Sequence, residues 1–598
     1  MRKLVCLLAV VVLPAVAVAA SPDLEERRKA LNDLLQEQWE YTMRNSPVYA
    51  SFLGDKRYND QLDDFSQQHI DDDLEQTRRF LVRFEAIDTT GFPDQEVLNK
   101  QLMVRDLKMA LEGARFKPWE MPVDQQNGVQ VELPALVNVL AFDSVKDYDD
   151  YISRLKQISR LFDQVEIQMR KGMADNWMPP KSVLGEVVKQ ANELATTPAD
   201  KNPFAQPFTK FPDAIGEADR KRLREAGLAA IHDSVMPTYA KFATFVRDEY
   251  EPKGRPEPGV WSLPHGDEYY TFRVKESTTT SLTPEEIHQL GLAQVKIIEY
   301  RMLAVAKHLG FSDLKSFYAS IPNNPKVHVH SRQEILDLYQ KYIDQMYTKL
   351  PDLFGRLPKE RLDVKPIEEF REKEASTHYL EGTPDGSRKA HVMVNTGDFE
   401  KRTTLDIETT AYHEGVPGHH LQISIAQELP SLPLFRQHEY YTAYIEGWAL
   451  YSEELGKEVG FYQDPYSYYG HLLDDMLRAI RLVVDTGFHY KHWTRQQVVD
   501  FFHDHSAIDE PEVQEETDRY MAWPAQALGY KVGQLESIKL RQYSKDQLGD
   551  KFDIRGFHDE VLSGGALPLD VLSTRIHDWV GRQRVQASSA EIKPAVAK

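Results

Sequence analysis

The side chains best suited to chemistry lie in one short stretch, Tyr412 to Gln422. It reads Tyr-His-Glu-Gly-Val-Pro-Gly-His-His-Leu-Gln and sits inside an otherwise helical pattern, residues 406–429. A His followed at once by Glu, with a second His further along one helix, is the pattern with which zinc peptidases hold their metal and general base. We therefore predict a zinc site here, with His413 as a ligand and Glu414 as the general base.

The spacing of the imidazoles departs from the standard arrangement. His413 and His419 are six residues apart, which is about 240° around a regular helix. His413 and His420 share a face, but they lie about 10 Å apart along the axis. Either pair can share a metal only if the helix is interrupted. Pro417-Gly418 predicts that interruption, because Pro removes a helix hydrogen bond and Gly accepts unusual backbone angles. We take His419 as the second ligand and keep His420 as the alternative.

A third protein ligand is expected from a second helix, which leaves one position open for water. The stretch Tyr444 to Glu453 offers Glu446 among side chains that read as buried, such as Trp448. A carboxylate on an apolar face is unfavourable unless it is paired or binds metal. The predicted site is therefore one Zn²⁺ ion held by His413, His419 and Glu446.

Two other pairs of histidines are weaker candidates for a metal site. They are His328-Val329-His330 and His503-Asp504-His505. The first has no acidic or sulfur-bearing neighbour, and the second is typical of an exposed helix end. We interpret both as surface histidines.

The elements that carry these residues are predicted to be mainly helical. Apolar residues at helical spacing predict helices over 23–44, 71–87, 94–116, 147–171, 185–194, 217–249, 464–484 and 495–503. Thr283 and Ser331 begin N-terminal capping patterns, which predict helices to about Leu309 and Leu350. Alternating residues over 267–276 predict a strand.

A second strand is predicted over residues 390–396, close to the histidine motif. In zinc peptidases an edge strand beside the metal helix pairs with the substrate backbone. We expect this strand to do so, with Asn395 adding a side-chain contact to the substrate. An ordinary internal strand is the alternative.

Length and composition restrict the class of protein. The 598 residues are too many for a single ordinary core, so two or more lobes are expected. A cluster of Pro and Gly over 251–259 places the boundary, giving an N-terminal helical lobe, 21–255, and a catalytic zinc-binding lobe, 256–598. The formal net charge of −21 argues against nucleic acid or an anionic membrane as partner.

Residues 1–20 are predicted to be a signal peptide. Arg2 and Lys3 precede an apolar run, Leu4 to Val18, which is followed by small residues typical of a cleavage site. The run is short for a membrane span. Cys6, the single cysteine, lies too early for a lipoprotein cleavage site, so the mature chain has no thiol and is not a cysteine hydrolase. We predict a periplasmic or secreted protein.

On its motifs the chain resembles the bacterial family called domain of unknown function 885, a distant relative of the Glu-ligand zinc peptidases, the gluzincins. H-E-G-x-P-G-H-H-x-Q stands at His413 to Gln422, and E-G-W-A-L-Y at Glu446 to Tyr451 is similar to the segment that carries the zinc Glu in aminopeptidases of the same clan. The resemblance extends over nearly the whole mature chain, through Ser46-Pro47 with Gly54-Asp55, Leu282 to Ile287, Asp385 to Arg388 with Val394 to Thr396, and Arg519-Tyr520 through Pro524 to Ala527 to Tyr530-Lys531. Ala525 departs from the family, which usually has Gly there.

The resemblance implies a large, two-lobed, mainly α gluzincin-like fold with one small β-sheet beside the active-site helix. It also implies that a downstream segment supplies a tyrosine hydroxyl to the oxyanion, with Tyr530 as first choice and Tyr520 as second. On the same segment, Arg519 and Gln526 are predicted to bind substrate. For Arg519 a structural salt bridge is the alternative to a substrate carboxylate.

Three functions remain open at this point. The first is a zinc peptidase that acts on short peptides, because the deep cleft implied by the resemblance excludes folded proteins. The second is a zinc hydrolase of another amide, such as an acylated amino acid or a peptidoglycan fragment. The third is a peptide-binding or scaffold protein without turnover, against which Glu414 beside an intact His pair argues. We predict the first, with zinc-activated water and Glu414 moving the proton.

Overall fold

The computed structural model describes residues 23–591, except 368–371, 373–374, 384–385 and 387. The predicted signal peptide, residues 1–20, lies outside the described residues, as do Asp385 and Ser387 of the family motif. Among the helices that are described, none has both the length and the apolar character that crossing a membrane requires.

The architecture is mainly α-helical, as predicted. The helices in chain order are α1 (Leu24–Asn45), α2 (Pro47–Phe52), α3 (Gln67–Glu85), α4 (Asp94–Gly113), α5 (Val129–Ala135), α6 (Val145–Asp175), α7 (Lys181–Thr196), α8 (Glu217–Ala230), α9 (Met236–Phe245), α10 (Gly266–Thr278), α11 (Pro284–His308), α12 (Leu314–Ser320), α13 (Arg332–Tyr347), α14 (Leu350–Leu353), α15 (Ile407–Glu414), α16 (His419–Gln427), α17 (Leu434–Gln437), α18 (Thr442–Glu458), α19 (Pro465–His489), α20 (Arg495–His505), α21 (Glu510–Ala522), α22 (Leu528–Leu548), α23 (Ile554–Leu562) and α24 (Leu569–Glu591). Short π-helical segments follow α8 and α9, so the predicted helix over 217–249 is one helical run with two irregular turns.

The capping pattern of Thr283 begins α11 as predicted. The backbone N–H of Glu286 donates to the Thr283 hydroxyl at 3.2 Å, and the N–H of Thr283 donates to the Glu286 carboxylate at 2.8 Å. These two bonds satisfy N–H groups that have no partner inside a helix. Local sequence is therefore sufficient to fix where this helix begins.

The predicted strand over residues 267–276 is wrong, because these residues form α10. Their aromatic residues alternate, but they are buried against different neighbours: Tyr270 donates to a carboxylate of α19, and Phe272 contacts the end of α4. Burial on more than one side of a helix can produce a two-residue period without a strand. Asp267 in the first turn and Lys275 in the last turn suit a helix dipole.

Three short strands form the single sheet of the described residues. They are β1 (Asp363–Pro366), β2 (His378–Leu380) and β3 (His391–Val394), in the order β1-β3-β2. β1 runs parallel to β3, and β2 runs antiparallel to it. The predicted strand over 390–396 thus exists, but as the central strand. The prediction that it is an edge strand is wrong, since β1 and β2 occupy its two sides.

The hydrophobic core is divided into three clusters. The first joins the helices before residue 116 to elements after residue 260, including α15, α18 and α22. The second is built by residues between Leu62 and Tyr250, chiefly from α6, α7 and α9. The third surrounds α11 and α19. The division of the chain at residue 255 stays a prediction, and the second cluster ends close to it.

Helices α18 and α22 pack unusually closely along each other. A Cβ atom added to Gly447 would lie 2.4 Å from the Cα atom of Gly533, and one added to Gly533 would lie 1.7 Å from the carbonyl oxygen of Ala443. Only glycine fits these two positions. The close approach places Glu446, the residue before Gly447, next to the face of α22 that carries Tyr530.

Candidate metal centre

The helix that carries the histidines is interrupted where the sequence predicts. α15 ends at Glu414 and α16 begins at His419. Gly418 fits tightly between them, because a Cβ atom there would lie 1.9 Å from the carbonyl oxygen of His413. The indole N–H of Trp448 donates to the carbonyl oxygen of Pro417 at 2.9 Å and attaches the interruption to α18. The two histidines therefore belong to different helices.

The interruption brings His413, His419 and Glu446 together. Nε2 of His413 and Nε2 of His419 each lie 3.5 Å from Oε2 of Glu446. One ligand atom from each residue lies within 4.8 Å of the other two. In the described part of the chain, this is the one group of three or more His, Cys, Asp or Glu side chains that could hold a metal ion.

The chemistry of this donor set fits zinc. Two imidazole nitrogens and one carboxylate oxygen are the ligands of catalytic zinc sites that keep a fourth position open. The three side chains are at most 10% exposed, and burying them together is unfavourable unless a positive charge compensates the carboxylate. Nδ1 of His419 is buried without a hydrogen-bond partner among the described residues.

A second carboxylate, Glu453, orients His413. Nδ1 of His413 donates to Oε1 of Glu453 at 2.8 Å, and the hydroxyl of Thr409 donates to Oε2 of Glu453 at 2.9 Å. The bond from Nδ1 to Glu453 orients the ring so that Nε2 faces Glu446 and a bound metal could take the lone pair of Nε2. The sequence interpretation missed Glu453, although a signal existed: it follows Glu446 by seven residues, which places both on one face of α18.

The charges of this cluster favour a cation at its centre. Burial alone lowers the pKa of His413, but hydrogen bonds to Glu446 and Glu453 outweigh burial and raise it to about 10. Burial raises the pKa of Glu446, whereas hydrogen bonds from His413 and His419 lower it well below its ordinary value. The carboxylates thus stabilise positive charge between the imidazoles.

His420, the alternative second ligand, is engaged elsewhere. Its Nε2–H donates to the carbonyl oxygen of Glu360 at 3.1 Å, and its Nδ1 lies 3.3 Å from the hydroxyls of Tyr379 and Ser424. Burial lowers its pKa to about 4, so the ring is neutral near pH 7. Of the two alternatives, the geometry favours His419.

Glu414 contacts the free edge of the sheet. The backbone N–H of Tyr379, in β2, donates to Oε2 of Glu414 at 2.8 Å. This N–H points away from β3, on the side of β2 where the described residues place no further strand. The edge strand beside the helices that carry the candidate metal ligands is therefore β2, which the sequence interpretation missed because three residues are too few for a periodic signal.

Two tyrosines stand near Glu446. Tyr440 donates to Oε1 of Glu446 at 3.3 Å, and the residue as a whole is 57% exposed. Tyr530 is buried on α22; burial raises its pKa, and the charge of Glu446 raises it further. Tyr440 was not a candidate from the sequence, because it lies in an irregular segment without a motif.

Tyr520 is fully buried, and its hydroxyl donates to the carboxylate of Glu516. Oε2 of Glu516 also accepts from Nε of Arg481 at 3.0 Å. These contacts hold the hydroxyl of Tyr520 inside the protein. The geometry therefore favours Tyr530 as the candidate oxyanion donor.

The predicted substrate-binding side chains have partners within the chain. Arg519 donates to Glu516 at 3.0 Å and to Gln526 at 2.9 Å, so the salt bridge considered as its alternative role is present. The side-chain amide of Asn395 donates to two backbone carbonyl oxygens at 2.7 Å and accepts from the N–H of Gly397 at 2.9 Å. Substrate contacts by these three residues stay predictions.

The other histidine pairs have separate partners. His328 lies 3.0 Å from the carbonyl oxygen of Pro322. His503 pairs with Glu510 and His505 with Glu299, each at 2.7 Å. Neither pair belongs to a group of candidate metal ligands within the described ranges, and their interpretation as surface histidines stays a prediction.

Fold and site together define a mainly helical protein with a buried His-His-Glu cluster between α15, α16 and α18. The sequence profile of the family described as "Bacterial protein of unknown function (DUF885)" matches residues 47–576. The chain belongs to this family.

Solved structures of similar proteins share the fold. The crystal structure of a "putative lipoprotein" from Colwellia psychrerythraea matches with a TM-score of 0.88 and 28% sequence identity, over 93% of this chain and 99% of that chain. A "putative lipoprotein of unknown function" from Shewanella oneidensis matches with a TM-score of 0.68 and 16% identity, over the same shares of the two chains. Among curated proteins, none matches the sequence.

Proposed function

We propose that this protein is an exported, zinc-dependent hydrolase that cleaves peptide bonds of short peptides. The observation that carries the proposal is the convergence of His413, His419 and Glu446 within 4.8 Å, with Glu414 at the end of the same helix as His413. The three converging residues would hold the metal. When bound, zinc supplies Lewis acidity and lowers the pKa of a water molecule towards neutrality.

Glu414 is the proton carrier in this proposal. Its carboxylate accepts a proton from the attacking water and delivers that proton to the nitrogen of the leaving amine. The N–H of Tyr379 holds Oε2 of Glu414 at 2.8 Å, which leaves Oε1 for the water. The position of Glu414 directly after His413 keeps it beside the ligand cluster.

The substrate backbone is expected to bind along β2. An extended peptide can add to a free strand edge through main-chain hydrogen bonds. On this edge of β2 the N–H of Tyr379 bonds Glu414, so the substrate would pair with the carbonyl oxygen of Tyr379 beside it. A chain must be extended to bind in this way, so unfolded or short peptides are the preferred substrates. The amide that is cleaved then lies between β2 and the histidines.

The hydroxyl of Tyr530 is the proposed donor to the substrate oxyanion. Nη2 of Arg519 donates to the oxygen of Tyr530 at 3.4 Å. Because that oxygen accepts from Arg519, its own proton is free to be donated to the substrate oxygen. Tyr440 instead donates to Oε1 of Glu446 and orients this ligand.

Export is part of the proposal. Residues 1–20 have the features of a signal peptide, and both solved relatives are described as lipoproteins, a class of exported proteins. Fractionation of cells that produce the full chain tests this part, and retention of the protein in the cytoplasm would contradict it.

A peptide digest tests the activity. The mature protein, with its zinc content determined, is incubated with a mixed peptide library, and the products are identified by mass spectrometry. Chelator-treated protein and Glu414→Gln are run beside it, with Glu458→Gln as a matched control, because Glu458 lies on the surface of α18 and bonds Arg541. We expect cleavage by the wild type and by Glu458→Gln only.

The same digest separates the alternatives. One equivalent of zinc without any peptide cleavage would contradict the peptidase and favour hydrolysis of another amide. Absence of zinc from protein purified without chelator, and from protein supplied with zinc, would overturn the metal site itself.

A further inference from the structure

A cavity lies apart from the candidate metal centre, over the outer face of the sheet. Its volume is about 540 Å³, within the range of small-molecule sites. Its walls come from residues 51–59, from the loop 138–143, from β1 and β3, and from Thr383, Arg388 and Lys389. Glu414 and the three candidate metal ligands are not among its lining residues.

The sheet separates this cavity from the hydrophobic core. Val392 and Val394 of β3 point into the core. His391 lies on the opposite face, and the register pairs it with Asp363 of β1, so both line the cavity. The floor is polar and buried: Ser51, Asn59 and His391 are at most 7% exposed. Buried polar side chains around a cavity are typical of a binding site.

The lining is cationic in a protein that is strongly acidic. Lys56, Lys365, Arg388 and Lys389 line the cavity, against the two carboxylates Asp143 and Asp363, while the whole chain has a formal net charge of −21. A concave surface with one sign of charge concentrates the opposite sign of ligand. The local excess of positive charge therefore selects anions.

Lys365 is the cation best placed to bind such a ligand. Lys56 lies near Asp143 and Asp147, and Lys389 lies 4.0 Å from Asp363. The ammonium group of Lys365 instead donates to Nε2 of His391 at 3.0 Å, a neutral acceptor. An ammonium group whose acceptor is neutral keeps its charge available for an anion.

His391 supports this arrangement. Burial and the neighbouring Lys365 lower the pKa of His391, so its ring is neutral. Since Nε2 accepts from Lys365, the ring proton is on Nδ1. Nδ1 is buried and has no partner among the described residues, which is unfavourable for a donor.

We propose that this cavity binds a small anion with carboxylate or phosphate groups, held chiefly by Lys365 and assisted by Lys389 at the rim. The proposal concerns binding only and does not rest on the peptidase activity. Carboxylate and phosphate offer the same acceptor oxygens to an ammonium group, so the test includes a probe of each kind.

The test is isothermal titration calorimetry of the full mature protein with inorganic phosphate and, separately, with citrate, at constant ionic strength in chloride buffer. We expect saturable binding of at least one probe, and the tighter one identifies the preferred chemistry. Lys365→Met should weaken this binding about 10-fold or more, since it removes a charged hydrogen bond. Lys221→Met is the matched control, because Lys221 is 77% exposed on α8 and outside the cavity.

Lys389→Gln provides a second variant whose folding is not in question, because Lys389 is 71% exposed. It should weaken the same binding without changing the thermal midpoint in chloride. Absence of binding for both probes, or an equal loss in Lys221→Met, would overturn the proposal. Weakening in both cavity variants with an unchanged control would support it.

Discussion

Glu453 holds the ring of His413 from the side opposite to Glu446. Nδ1 of His413 donates to Oε1 of Glu453 at 2.8 Å, while Nε2 of the same ring lies 3.5 Å from Oε2 of Glu446. One face of α18 thus supplies both a candidate metal ligand and the group that fixes the tautomer of another ligand. Such outer contacts determine metal affinity as well as geometry.

We expect Glu453→Gln to weaken zinc binding about 10-fold or more. Glutamine can still accept the hydrogen bond from His413, but it removes the negative charge that makes the imidazole a stronger ligand. Affinity is measured by competition with a chelator of known strength. Glu458→Gln, one turn further along α18, should leave zinc binding unchanged. Equal affinities for all three proteins would show that Glu453 does not support the site.

Tyr530→Phe should reduce kcat on a cleaved peptide about 100-fold, with little change in KM or zinc content, because a donor to the oxyanion acts mainly in the transition state. Tyr300→Phe is the control, since Tyr300 is 77% exposed on α11. Tyr520→Phe should lower the thermal midpoint more than kcat, because its hydroxyl bonds Glu516 inside the protein. A large loss of kcat in Tyr520→Phe together with a loss of stability in Tyr530→Phe would show that Tyr520, and not Tyr530, is the donor to the oxyanion.

The crossing of α18 and α22 gives a prediction about stability. Gly533→Ala should lower the thermal midpoint clearly, with a cost of about 2 kcal/mol or more, since its Cβ atom would lie 1.7 Å from a carbonyl oxygen. Gly185→Ala, in α7, is the matched control. Its Cβ atom would meet nothing within 4 Å, so it should be neutral or stabilising by about 0.5–1 kcal/mol. Similar effects of both substitutions would contradict the close crossing.

Ala525 adopts a left-handed backbone conformation, with φ of 68°. This conformation costs an L-residue about 1–2 kcal/mol, whereas glycine loses only about 0.5–1 kcal/mol of backbone entropy. We therefore expect Ala525→Gly to raise the thermal midpoint slightly. Ala110→Gly, at an exposed position in α4, should lower the thermal midpoint, because glycine has a helix propensity about 1 kcal/mol less favourable than that of alanine. A decrease for both variants would show that the left-handed turn is not strained.

Glu516 gives a prediction about pH. Burial raises its pKa, but the charges of Arg481 and Arg519 and the hydroxyl of Tyr520 outweigh burial and lower the pKa to about 2. A carboxylate with a lowered pKa in the folded state contributes stability above its unfolded pKa, about 4.3, and this contribution is lost as the pH falls towards 2.

Thermal midpoints measured between pH 7 and pH 2 check this expectation. The wild type should lose stability below about pH 4.5, and Glu516→Gln should be less stable at pH 7 but lose less on acidification. Glu225→Gln is the control, since Glu225 is 68% exposed on α8. Parallel curves for wild type and Glu516→Gln would mean that this buried carboxylate is not responsible.

The sequence by itself determined the features that depend on neighbouring residues. The Thr283 capping pattern fixes the start of α11, and Pro417-Gly418 fixes the interruption between α15 and α16, because these effects arise within a few residues. The choice of His413, His419 and Glu446 as a possible ligand set also came from residue type and spacing. The mainly helical class followed from the apolar period of most segments.

Only the tertiary structure decided which distant groups meet. The position of Tyr530 near Glu446 depends on two glycines, Gly447 and Gly533, that let helices from separate parts of the chain approach closely. The role of β2 as the free edge, and the helical state of residues 267–276, depend on which partners are present around short segments. Burial and pairing across the chain outweigh local preference there, so no local pattern predicts them.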